Sequence, residues 1–173
     1  MKFSFIVFNL ILTTTAIAKQ EYCHGAKGHI HSNGGGVVAD SAKVQDTVFV
    51  DKGAQVCGTA EVAGAAKILF NAIVEDQAKV SGQAIISGSA RVSGKAQVLD
   101  QSLVEGGAKV FGEAQVRNFA RVRGLAQVFQ QAQVFENAVV SGSAKVFGNA
   151  QIKGKEKINL NAEIDGEKIV NNK

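Results

Sequence analysis

Between residues 36 and 167 the apolar and polar positions recur with a period of six. The phrase Ser81-Gly82-Gln83-Ala84-Ile85-Ile86 sets a frame that holds for 132 residues, or 22 hexads, without an insertion. In every hexad the third residue is Val or Ile, from Val38 to Ile164. The first is Ala in 18 of the 22, the exceptions being Gly36, Val48, Ser102 and Glu156. These two positions are two residues apart, so on a strand both side chains point to the same side. A small residue beside a β-branched one suits a narrow interior lined by a pleated surface. The fifth residue is Gly in 12 hexads and Asp or Asn in five more: Asp40, Asp46, Asp76, Asp100 and Asn118. Those residue types tolerate the positive φ of a sharp bend. Each hexad therefore predicts a short strand followed by a corner.

A chain that turns in the same sense at every corner must coil. Three hexads, 18 residues, close a triangle, and the next triangle stacks on it with parallel strands about 4.8 Å away. The repeat is then long enough for about seven coils, a prism about 35 Å tall. The expected fold class is all-β: one single-stranded parallel β-helix. The 19 Gly, the absence of Pro and the low aromatic content agree with many short strands and turns, and argue against a helical bundle or disorder.

The remaining segments differ in texture. Residues 1–18 combine Lys2, the apolar run FSFIVFNLILTTT and the small-x-small site Ala16-Ile17-Ala18, the pattern of a signal peptide. The run is too short to span a bilayer. The expectation is export to the periplasm or exterior, a mature chain starting near Lys19, and no transmembrane segment after cleavage. Residues 19–35 lack the repeat and read as an N-terminal cap, residues 36–155 as the β-helix, and residues 156–173 as a C-terminal cap or tail. Glu156 marks that last boundary by placing a charge at an inward position, although Ile158 and Ile164 keep the period. In an exported chain Cys23 and Cys57 are expected to form a disulfide. Cys57 sits at the outward-facing fourth position, so the bond would clamp cap to coil. The alternative is two free thiols, with Cys23 close to the histidines.

The repeat resembles that of the hexapeptide-repeat superfamily, whose members form left-handed parallel β-helices. The handedness is what the resemblance implies. The Gly lies one place later than in the usual family phrase, as in Val80-Ser81-Gly82-Gln83-Ala84. This Ala-x-Val-x-Gly-x form, together with HSNGGGVVADSAKV (His31 to Val44), is similar to a group of bacterial repeat proteins. Many superfamily members are acyltransferases with a coil-borne histidine base, and some are zinc carbonic anhydrases. Here His24, His29 and His31 all precede the first hexad, so a base on the coil is missing. No catalytic residue and no cofactor are assigned. The three histidines are the candidate metal ligands, but their spacing matches no strong signature.

Function is then sought on the outward positions, where residues 18 apart form columns. One column holds Lys43, Glu61, Lys79 and four glutamines from Gln97 to Gln151. A second holds Phe49, Ile85, Leu103 and Val139 among Lys67, Arg121 and Lys157, and is the candidate interface with a second copy or another envelope protein. On the third face Phe111, Phe129 and Phe147 run beside Arg91, Lys109, Gln127 and Lys145, a candidate binding stripe for an anionic glycan. Rings one coil apart would cover each other's faces, which favours a role in the coil itself. Arg117, Arg121 and Arg123 add a basic cluster of ordinary solvated character. The net charge of +4 permits an anionic partner, and no nucleic-acid partner is expected. The first functional expectation is an exported, non-enzymatic structural, adhesive or scaffold protein. The alternatives are a polysaccharide-binding module and a degenerate acyltransferase.

Overall fold

A computed structural model describes residues 23–166 and the backbone of 169–172. The expected signal peptide therefore lies outside the described residues. Two-residue strands recur every six positions, from Lys43–Val44 through Glu163–Ile164, with a turn between each pair. Together with the strands at the two ends they assemble into three sheets of nine, seven and eight strands. Within the coils each strand pairs with those 18 residues away, parallel and in register: Val98 lies between Val80 and Val116. The chain is a parallel β-solenoid of about seven 18-residue coils.

The hydrogen bonds follow one rule, residue by residue. In the hexad beginning at Ala90, Arg91 donates its N–H to Ala108 O, Ser93 to Val110 O and Lys95 to Gly112 O, at 2.7–3.0 Å. Each coil is thus a template for the next, and backbone groups that would be costly to bury are paired. The first and third side chains fill the axis. From Val48 to Ile152 they are almost completely shielded from solvent. Ser102 replaces alanine there at no cost in unpaired groups, because its hydroxyl donates to Leu99 O at 2.6 Å.

The corners explain the fifth position. From residue 58 to residue 166 every fifth-position residue has positive φ, glycine or not. At Gly82 (φ 76°) an added Cβ would stand 2.6 Å from Asp100 O in the coil above. Phe70, Gln130, Glu136 and Leu160 nevertheless adopt the left-handed region, at φ 58–59°. The first coil departs from the rule, since Asp40, Asp46 and Lys52 are not among the positive-φ residues.

That coil is shaped by the cap. Gly28–Ile30 pairs antiparallel with Val37–Ala39 and covers the first edge of one sheet. Gly36 donates to Val50 O, and Val50 donates to Asn33 O. Cys23 and Cys57 form a disulfide between the cap and the second coil. Cys57 occupies an outward position, yet it is buried because the Cys23–Gly25 turn lies over it. At the other end the stack continues past residue 155. Lys157–Ile158, Glu163–Ile164 and Ile169–Asn172 extend all three sheets, with Glu156 turned inward and largely buried.

Candidate functional site

The three sheets are named here by their outward columns. Face one carries Lys43 to Gln151, face two Phe49 to Lys157, and face three Gln55 to Glu163. On face three the expected aromatic column exists as a stack. The rings of Phe111 and Phe129 are 4.9 Å apart and parallel, and those of Phe129 and Phe147 are 5.0 Å apart at 8°. Each ring covers its neighbour, so the faces a sugar would stack on are used within the protein.

The basic residues beside them are largely matched. Arg91 donates to Glu75 at 2.9 Å, and the largely buried Glu75 also meets the His24 ring at 3.4 Å. Lys145 pairs with Glu163 at 2.8 Å. Among the described residues of the proposed stripe, Lys109 alone is a cation without an ion-pair partner, next to neutral Gln127. The structure thus brings the stripe residues together and internally neutralises most of their charge.

Face one behaves similarly. Glu61 lies between Lys43 at 3.1 Å and Lys79 at 3.2 Å, one coil below and one above. Hydrogen bonds from Lys43 and then Lys79 hold the Glu61 carboxyl below the ordinary glutamate range. Gln97, Gln115, Gln133 and Gln151 stack above them in register. At the neighbouring corner Lys95 meets Glu113 at 3.6 Å. A simple sequence signal announces most of these pairs: opposite charges 18 residues apart. The Arg91–Glu75 pair, a diagonal between columns, lacks that signal.

The basic cluster is divided. Arg117 belongs to the strand end of face one, where its guanidinium lies 4.5 Å from the centre of the Phe135 ring. Arg121 and Arg123 stand on face two and are exposed. The candidate interface residues Phe49, Ile85, Leu103 and Val139 share the central column of that face and are each half-buried.

The histidines go to three separate partners. His24 meets Glu75, His29 meets Asp40 at 3.2 Å, and buried His31 meets Val48 O at 3.0 Å through Nε2. The last contact requires Nε2 to be the protonated donor. Cys23 has no thiolate to offer, because it is disulfide-bonded. Among the described residues no three of His, Cys, Asp and Glu converge on a metal-sized site. No helix there is long and apolar enough to cross a membrane.

No protein-family model matches this chain, and neither the curated proteins nor the solved structures contain a match.

Proposed function

We propose that the chain is an exported, non-enzymatic rod of the left-handed hexapeptide-repeat type, acting as a structural, adhesive or scaffold element of a bacterial envelope or its surroundings. The observation that carries this reading is the unbroken six-residue beat of strands from Lys43 to Ile152. Nothing in that span departs from the coil to build a recess around reactive groups. Its outward side chains instead bond to one another along the axis, as Lys43, Glu61 and Lys79 do. Such ladders stiffen a rod, and the disulfide suits an oxidising compartment. The polysaccharide reading is not advanced, because the phenylalanine faces are stacked shut and Arg91 and Lys145 are paired.

The test is fractionation of the native host, with thiols blocked at lysis and the mature N-terminus read by mass spectrometry. The expected result is a chain starting near Lys19 in the envelope or medium, with Cys23 and Cys57 joined. A cytosolic chain with reduced thiols, or turnover of acyl donors by the purified protein, would refute the proposal.

A further inference from the structure

Ion pairs run along faces one and three and the corner between them. On face two there is none among the described residues, although Glu105, Arg121 and Arg123 all lie there. Glu105 and Arg123 occupy successive coils of one column and remain unpaired. The same face gathers the exposed apolar groups. Of the five strongly exposed large apolar side chains among the described residues, four stand on its two bounding corners: Phe119 on one, and Phe70, Leu125 and Leu160 on the other. Half-buried Ile85, Leu103 and Val139 lie between them.

We propose that face two docks a second copy of this chain, antiparallel, about a twofold axis that crosses the face between the coils of Glu105 and Arg123. This axis sets Glu105 opposite the partner's Arg123, and by symmetry Arg123 opposite the partner's Glu105. It sets Ile85 opposite the partner's Val139, and Phe70 opposite the partner's Leu160. Charge selects the arrangement. A parallel pairing puts Lys67, Arg121 and Lys157 each opposite its own copy, three like-charge contacts that disfavour it. Moving the axis half a coil down opposes Glu105 to itself, and half a coil up opposes Arg121 and Arg123 to themselves. In the chosen register the like-charge contacts are two, Lys67 with the partner's Lys157 and, by symmetry, Lys157 with the partner's Lys67, both at the rim, where long side chains reach water. Six overlapping strands at 4.8 Å and six residues of width give a face of roughly 570 Å². That is close to the lower end, about 600 Å² per partner, of specific interfaces. The proposal rests on the geometry of the coil and is independent of the role proposed above.

Sedimentation equilibrium of the disulfide-bonded chain is expected to give a dimer at micromolar concentration. R123E alone should raise the dissociation constant about tenfold or more, and E105R/R123E should restore it, since both reciprocal pairs reform. A mixture of S87C and S141C chains should crosslink with a short bismaleimide, because these positions oppose each other, whereas S87C alone should not. A monomer at all accessible concentrations, a trimer, a charge swap that fails to restore affinity, or self-crosslinking of S87C would overturn the proposal. A monomer would leave the rod reading standing.

Discussion

Replacing both cysteines, Cys23→Ser with Cys57→Ser, should release one short segment and spare the rest. Chain entropy assigns about 4 kcal/mol to a crosslink closing a loop of this size, here spanning 34 residues. How that loss is distributed is decided by what else holds the segment. Apart from the disulfide, residues 23–27 are held by the hydrogen bond from Cys23 N to Gln55 Oε1 at 3.1 Å, the contact of exposed His24 with largely buried Glu75 and the Asp40 N–H bonded to Lys27 O. Three such polar contacts contribute about 1 kcal/mol each. Ordering five residues costs about 1–2 kcal/mol per residue. Without the crosslink the segment cannot stay docked.

The hairpin beyond it has its own anchors in His31, Asn33 and Gly36, which bond to Val48 and Val50. Hydrogen–deuterium exchange read by mass spectrometry should therefore show loss of protection in residues 23–27. Peptides from the fifth coil onward should exchange as in the parent, because a solenoid passes stability only between neighbouring coils. Unchanged protection at residues 24–27 would show that the disulfide is not what docks the segment. Uniform loss along the chain would show that the coils do not act as neighbours in series.

Two further predictions concern the corners and pH. Leu160→Gly should stabilise the fold by up to about 1 kcal/mol, since relief of ~1–2 kcal/mol of left-handed strain is partly offset by ~0.5–1 kcal/mol of added backbone entropy. Gln130→Gly relieves the same strain but deletes the acceptor for Gly148 N–H at 2.6 Å, so it should range from neutral to about 1 kcal/mol destabilising; chemical denaturation of both variants checks the contrast, and equal effects would contradict it. Glu61 has a depressed carboxyl pKa, so its contribution to stability is present above the ordinary value of 4.5 and is lost as pH falls through the lower folded value. An NMR titration of Glu61 should show that depression, and Lys43→Met should reduce it, since the Lys43 hydrogen bond is its largest single cause; an unchanged titration in the variant would exclude Lys43 as a cause.

Much of this architecture is legible in the sequence because one interaction rule repeats at every hexad. Val80, Val98 and Val116 stack as their spacing requires, and so do Phe111, Phe129 and Phe147. What escapes the rule arises where the coil meets something other than itself. Cys57 has the outward position of any fourth residue and is buried only because the cap crosses it. The Arg91–Glu75–His24 cluster likewise joins neighbouring columns to the cap. The partial coils after Glu156 are marked in the sequence by Ile158 and Ile164, which keep the period beyond the inward charge. The largely buried Glu156 sits near the last coil, where the axis is least enclosed.

The non-glycine corners are harder, since composition alone treats them as defects. Five of the seven have a compensation built from the next coil. Asp76, Asp100, Asn118, Gln130 and Glu136 each accept the N–H of the residue 18 positions on, at 2.6–3.2 Å. A glycine offers that N–H no acceptor, so a polar residue exchanges strain for a hydrogen bond of similar size. Phe70 and Leu160 have no side-chain oxygen to make this exchange. Both lie on the single corner between faces two and three, and both project into solvent there. Local rules broken without local compensation mark places where a sequence answers to something beyond its own fold. Here they bound the one face on which no ion pair forms among the described residues.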